Sequence, residues 1–115
     1  MVKITELSCV IHSQSPDMLR AAERIVLDRV DLNRVYTDTV VRIANGTQQE
    51  ERQQHRLGDY FDNIRIVESP ANSCFTVVFH PRPDAGRFWR DLVAAILRSI
   101  RESATGVSIG SLSRT

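Results

Sequence analysis

The strongest constraint on the fold is a pattern that occurs twice in the chain. Residues 10–17 read VIHSQSPD and residues 78–84 read VFHPRPD, so each joins an apolar run, a histidine, a short linker and a Pro-Asp pair. Apolar runs rich in β-branched residues predict strands. A proline followed by an acidic residue is typical of the first turn of a helix. The sequence therefore contains two strand–helix units.

Two such units, with further strands between and after them, predict an α+β fold of the ferredoxin-like or split β-α-β type. The predicted order is β-α-β-β-β-α-β, with a mostly antiparallel sheet and both helices packed on one face. We expect the strands that precede the helices to lie parallel as central neighbours, which places His12 and His80 at one edge. A chain of 115 residues fits a single domain over residues 1–115.

Apolar periodicity sets the predicted helices and strands. After Ser15, the predicted N-cap, hydrophobic residues recur at helical spacing over residues 18–30. A second helix is predicted from Asp84 to Ala104, with Gly106 as its C-cap. Strands are predicted at residues 4–11, 35–43, 60–69, 74–80 and 107–112.

A turn signal separates an alternating segment from a wholly polar one. Residues 35–43 alternate in a way that predicts a half-buried strand, and Asn45-Gly46 predicts a tight turn after it. The next stretch, Thr47 to Arg56 (TQQEERQQHR), contains no hydrophobic residue. Segments of this composition have too little apolar surface to be ordered by packing. Residues 47–57 are therefore predicted to form a mobile polar loop, with a solvated helical turn as the alternative.

The charge of the chain is balanced, but its basic residues are almost all arginine. With 15 basic and 14 acidic residues, the net charge of +1 indicates no general preference for nucleic acid or membranes. Lys3 is the only lysine. Arginine forms bidentate contacts with carboxylates and phosphates, so the bias fits selection for such contacts. It also fits the codon usage of a GC-rich genome.

One side of the second predicted helix is the most specific surface feature. At 100° per residue, its apolar side chains share one side of the helix. On the other side, a sector of about 100° contains Arg87, Arg90, Arg98 and Arg101, together with Asp91. A row of arginines can contact an acidic protein through bidentate pairs, or it can follow nucleic-acid phosphates. It can also be a solvated helix surface without a ligand.

Two histidines are the weak candidates for catalysis. At the ends of neighbouring strands and beside helix N-termini, His12 and His80 would form an anion or phosphoester site with Arg82. Each also has a simpler interpretation as the residue where a strand meets solvent. The sequence has no glycine-rich phosphate motif, nucleophile elbow or metal-ligand spacing, so no cofactor and no metal are expected. An enzyme is therefore the minority interpretation.

These features favour a small non-catalytic protein-binding domain, such as a regulator, inhibitor or immunity-type partner, from a bacterium or phage. Its contacts would be the polar loop and the arginine-bearing side of the helix. The predicted contact residues are Arg87, Arg90, Asp91, Arg98 and Arg101. The alternative is a nucleic-acid-binding domain with the same arginines on phosphates. A third hypothesis is a phosphoester-processing enzyme that uses the two histidines.

Other features bear on the location and self-association of the protein. Cys9 and Cys74 lie in apolar runs, where cysteine acts as a small buried hydrophobe and stays reduced. Without a leader-like start or an apolar run of about 18–20 residues, we expect a cytoplasmic protein with no membrane partner. A homodimer, either through the last strand, residues 107–112, or through apolar surface around Phe88 and Trp89, is a further hypothesis.

Overall fold

The computed structural model describes residues 6–84 and 88–114. Over these residues the chain forms two α-helices and seven strands, and the strands belong to two antiparallel sheets. Their bounds are β1 Leu7–His12, α1 Pro16–Arg29, β2 Val35–Ala44, β3 Thr47–Arg56, β4 Phe61–Ser69, β5 Cys74–Pro81, α2 Trp89–Ser103, β6 Ser108–Ile109 and β7 Ser113–Arg114. The predicted α+β class is confirmed.

The main sheet has β1 near its centre. Its strand order is β4-β5-β1-β6, and β7 also pairs with β1. Alternate residues of β1 and β5 are buried on the side that the helices cover: Leu7, Cys9, Ile11, Phe75, Val77 and Phe79. The helices contribute to the same core Ala22, Val26, Leu92, Val93, Ile96, Leu97 and Ile100. Both helices therefore pack on one face of the sheet, as predicted.

The strands that precede the two helices are neighbours, but they run antiparallel. Leu7 lies opposite Phe79, and His12 lies opposite Cys74. The prediction that these strands are parallel is therefore wrong. It does not take into account that the chain reverses direction between β4 and β5. After α1, strand β4 runs parallel to β1, and the turn at residues 70–72 then reverses the chain into β5. Since β5 lies between β1 and β4, the two strand–helix–strand units interleave.

Strands β2 and β3 form a separate two-stranded hairpin outside the main sheet. All ten residues of each strand are paired, beginning with Val35 opposite Arg56. Asn45 and Gly46 make the turn with φ angles of 54° and 77°, left-handed values that asparagine and glycine tolerate best. The radius of gyration is 16.1 Å, compared with about 13 Å for a compact domain of this length. A projecting hairpin accounts for this difference.

The hairpin corrects two predictions. Residues 47–56 form strand β3 and not a loop, and residues 57–59 form a short 3-10 turn. The polar composition misleads because a strand that faces solvent on both sides needs no apolar residue; its pairing and the tight turn order it. The predicted half-buried side of β2 is instead exposed, with 48% of Val35, 53% of Val41 and 74% of Ile43 accessible.

The two helices differ in how well their first residues are predicted. The first, α1, begins as expected: Ser15 is its N-cap, and the serine hydroxyl accepts a hydrogen bond from the N–H of Met18 at 3.3 Å. The second, α2, begins at Trp89 and not at Asp84. Its N-cap is Phe88, which has no side-chain cap, so the Pro-Asp signal does not mark this helix start.

The C-terminal part of the chain completes the main sheet. Ala104 and not Gly106 is the C-cap of α2, and Gly106 has a positive φ of 69° in the segment that follows. The predicted last strand at residues 107–112 is replaced by two short strands, β6 and β7, which both pair with β1. Neither of the two described helices is long and apolar enough to cross a membrane.

Candidate functional site

The two candidate histidines do not form a pair. His12 ends β1 opposite Cys74, whereas His80 lies near the other end of the sheet, opposite Asn63 of β4. Because β1 and β5 are antiparallel, about six residues, or roughly 20 Å of strand, separate the two positions. The prediction that they share one edge is wrong, and the phosphoester site that depends on it is not formed.

Arg82, the third member of that predicted site, has a structural role. Its Nε donates a hydrogen bond to the carbonyl oxygen of Gly58 at 2.9 Å, and it lies 3.7 Å from the carboxylate of Asp62. The backbone N–H of Arg82 also donates to the carbonyl oxygen of Tyr60 at 2.8 Å. These contacts hold the short turn after β3 against the end of β5.

The exposed side of α2 carries the predicted contact residues that the structure describes. Arg90, Arg98 and Arg101 are exposed, and so is Asp91. The guanidinium carbon of Arg90 lies 5.3 Å from the centre of the neighbouring tryptophan ring, within the range of a cation–π contact. Arg87 lies outside the described residues. We call Arg90, Arg98 and Arg101 the arginine face.

The arginine face differs from most other arginines in lacking carboxylate partners. Six arginines elsewhere form ion pairs with aspartate or glutamate: Arg20, Arg29, Arg34, Arg42, Arg56 and Arg82. Over residues 6–84 and 88–114, no ion pair involves the arginine face. Its three guanidinium groups are therefore free to donate hydrogen bonds to acidic groups of another molecule.

A cleft of about 250 Å³ lies between this side of α2 and the base of the hairpin. Its polar lining includes Thr37, Asp38 and His55 on the hairpin and Asp91 and Arg98 on α2. The cleft therefore has groups of both charges, which suits it to polar contacts with a protein or peptide. Since Arg98 belongs to both features, the cleft and the arginine face are continuous.

His55 is the functional candidate in the cleft that the sequence does not reveal. Its ring stacks on Phe88 with 4.0 Å between the ring centres, and its Nδ1 lies 2.9 Å from the hydroxyl oxygen of Tyr60. The Nε2 atom is buried and has no hydrogen-bond partner among the described residues. The ring of His55 lines the cleft together with Asp91 and Arg98. Its position in the predicted loop conceals this arrangement.

The base of the hairpin is connected to both helices. The Tyr36 hydroxyl donates to the carbonyl oxygen of Arg29 at 2.7 Å, and Arg29 donates in turn to Ser99 at 2.8 Å and Ser103 at 3.3 Å. Burial raises the pKa of Tyr36, and the positive charge of Arg34 partly opposes this effect. The contacts hold the hairpin beside α2 and so define the width of the cleft.

A second groove, of about 320 Å³, has Glu23 of α1 and Glu68 of β4 in its lining. The pKa of Glu23 is raised by burial, then by a hydrogen bond with Glu68 and by the negative charge of that residue. Arg20 also lines the groove, but it is ion-paired with Asp17. The sequence shows no sign of this carboxylate pair, because only the fold brings α1 and β4 together.

Metal-ligating groups do not assemble in the part of the chain that the structure describes. No group of three or more histidine, cysteine, aspartate or glutamate residues there is arranged to hold a metal ion. Both cysteines are free thiols. Cys9 is buried and donates to the carbonyl oxygen of Gly110 at 3.2 Å, and burial raises its pKa, with a smaller opposing effect of Arg101.

No protein-family model, curated protein or solved structure matches the chain. The class that the structure defines is an α+β domain with a main antiparallel sheet, two helices on one face and a separate projecting hairpin. Within that class, the cleft and the arginine face are the surface features on which a function can be based.

Proposed function

We propose that the protein is a small non-catalytic protein-binding domain, of the regulator, inhibitor or immunity type, that contacts an acidic protein surface. The observation that carries the proposal is the arginine face: Arg90, Arg98 and Arg101 lie on one side of α2 without carboxylate partners among the described residues. A guanidinium group is weakly hydrated and matches a carboxylate with two parallel hydrogen bonds. Three such groups in a row favour an acidic partner.

The adjoining cleft supports the proposal with a concave, polar surface. His55 lies in its lining beside Asp38 and Arg98. Asp91 lies among the arginines and would orient them or pair with a cation of the partner. Groups of both charges at one interface add selectivity, because a partner of the wrong pattern meets like charges.

Binding of nucleic acid is the second candidate, since free guanidinium groups also contact phosphates. Two observations make it the weaker one. Phe88 and Trp89 are half-buried and packed against the core, so they offer no open aromatic platform for bases. The net charge of +1 also gives little long-range attraction to a polyanion.

The test compares two triple variants that remove the same charge. The first replaces each residue of the arginine face with glutamine. The control replaces Arg24, Arg65 and Arg114 with glutamine; these are exposed and have no ion pair among the described residues. Each protein is titrated with poly-L-glutamate, as an acidic polypeptide probe, and with mixed-sequence DNA and RNA at several salt concentrations.

We expect the wild type and the control to bind poly-L-glutamate, and the arginine-face variant to bind about tenfold more weakly. Three exposed ion pairs of about 0.5 kcal/mol each give that factor. Equal losses in both variants would mean that net charge alone is measured, which contradicts the proposal. Tighter binding to nucleic acid, with affinity falling by about 0.7–0.9 log units per log unit of salt for each phosphate contact, would favour the second candidate.

A further inference from the structure

The hairpin leaves both of its outer edges open. Among the described residues, β2 and β3 pair only with each other. Backbone groups alternate in direction along a strand, so every second residue of β2 directs its N–H and C=O groups to the open edge. Such an edge is a template for another strand, and a two-stranded hairpin alone is only marginally stable in water.

The open edge of β2 is accompanied by an exposed row of β-branched side chains. The odd-numbered residues of β2 share one side of the hairpin and are all exposed: Val35, Thr37, Thr39, Val41 and Ile43. The large ones among them, Val35, Val41 and Ile43, are about half or more accessible. β-Branched residues are those that strands prefer, and they gain most from cross-strand contacts. The side chains of β2 therefore suit it to a position inside a sheet.

We propose that β2 pairs with β2 of a second copy of the chain, antiparallel about a two-fold axis at Val40. The two hairpins then form one four-stranded sheet in the order β3-β2-β2-β3. In this register Val40 lies opposite Val40 of the second copy, Thr39 opposite Val41 and Thr37 opposite Ile43. The two exposed β-branched rows become neighbours in the middle of the new sheet, so each shields the other from water.

Charge complementarity selects this register. It places Asp38 opposite Arg42 of the second copy, and the two-fold axis creates this ion pair twice. Asp38 has no ion pair within the described residues, whereas Arg42 lies 3.3 Å from Glu51 of its own hairpin. Moving the axis to Thr39 would place Asp38 opposite Val40 and leave its carboxylate without a cation. Arg42 therefore bridges two carboxylates only in the register centred on Val40.

The edge of β3 is a poorer surface for a second copy. Its sequence, TQQEERQQHR, provides no apolar side chain on either side of the strand. The register that places Glu50 opposite Arg52 of the second copy also places Glu51 opposite Glu51. Like charges directly opposite each other destabilise a sheet. The β2 edge is therefore the favoured contact; it does not include the arginine face, although Thr37 and Asp38 of β2 also line the adjoining cleft.

The experiment is sedimentation of the full chain from about 1 µM to about 300 µM. We expect the wild type to approach twice the mass of one chain within this range. Asp38→Arg and Arg42→Asp each create like-charge pairs across the axis, so each variant alone should dimerise at least about tenfold more weakly. An equimolar mixture of the two variants restores both ion pairs, so it should dimerise like the wild type.

The matched controls are Glu50→Arg and Arg52→Glu, which make the same charge changes on β3. They should dimerise like the wild type, and circular dichroism should show that all four variants are folded. A monomeric wild type at every concentration would overturn the proposal. So would a dimer that both β2 variants leave intact, a dimer that only the β3 variants weaken, or a variant mixture that stays monomeric.

Discussion

The hydroxyl of Tyr36 and the carbonyl oxygen of Arg29 are joined by a 2.7 Å hydrogen bond that links the start of the hairpin to the last residue of α1. The side chain of Arg29 then continues the connection to Ser99 of α2. The hairpin is thus held at its base by a short series of polar contacts, and the cleft depends on the same contacts for its shape.

Replacing Tyr36 by phenylalanine removes the donor of this bond and leaves the ring in place. We expect Tyr36→Phe to lower the free energy of unfolding by about 1 kcal/mol, the usual net contribution of one partly buried hydrogen bond. Urea unfolding measures the change, and an unaltered denaturant slope shows that the fold is retained. A variant as stable as the wild type would mean that water replaces the hydroxyl at the Arg29 carbonyl.

The carboxylates of Glu23 and Glu68 make stability depend on pH. The pKa of Glu23 is raised above its ordinary value of 4.5 in the folded protein. The contribution of this carboxyl group to the free energy of unfolding is therefore fully present below pH 4.5. The contribution is lost as the pH rises through the raised pKa. Glu68→Gln removes the charge that faces Glu23, so it should lower the pKa of Glu23 and stabilise the protein at pH 7.

The expected gain is a few tenths of a kcal/mol, about the value of a like-charge pair at an exposed surface, because Glu68 is open to solvent and water screens the repulsion. Thermal unfolding at pH 4 and pH 7 measures it, and an NMR titration follows Glu23 directly. Glu102→Gln, at an exposed site on α2, is the control. An equal gain in both variants would show that net charge, and not this pair, sets the effect.

The two cysteines should react at different rates with a thiol reagent in the native protein. Cys9 is buried and its pKa is raised, whereas Cys74 is only partly buried. Since the thiolate is the reactive form, we expect Cys9 to react at least about 100-fold more slowly, through local opening of the sheet. The variants Cys9→Ser and Cys74→Ser assign the two phases. Similar rates in the folded protein would contradict the packing of β1.

Two glycines with positive φ angles provide a matched comparison. A Cβ atom at Gly46 would meet nothing within 4 Å, but one at Gly106 would overlap the sulfur of Met18. Gly46→Ala should cost about 1 kcal/mol of unfolding free energy through backbone strain alone. Gly106→Ala should cost about 1 kcal/mol more, because Met18 must move. Adding Met18→Ala should bring the two effects to within about 0.5 kcal/mol of each other, when each is measured against its own parent.

Local signals predict the elements of this fold better than their arrangement. Ser15 and Pro16 mark the start of α1 because a cap acts within one turn of chain. The apolar side of α2 is visible because burial imposes the helical period on residues 92–100. The direction of β5 is set by α1, β4 and the turn between β4 and β5 acting together. It therefore cannot be predicted from the residues of β5 alone.

The site follows the same division. The exposure of Arg90, Arg98 and Arg101 is predictable, because these residues lie on the side of α2 opposite its buried apolar side. The cleft is not predictable, because His55 belongs to a strand without apolar residues and Phe88 lies some thirty positions later. Their contact requires the hairpin to be fixed beside α2, which long-range hydrogen bonds achieve.

The central position of β1 has a consequence for biosynthesis. This strand leaves the ribosome well before its partners, which are β5, at residues 74–81, and the short strands at residues 108–109 and 113–114. Strands β4 and β5, separated by four residues, can pair as soon as both are synthesised. Contacts this distant in sequence make folding slow. The newborn chain therefore carries β1 as an unpaired apolar strand until β5 has been synthesised, and in that period the strand is exposed to aggregation.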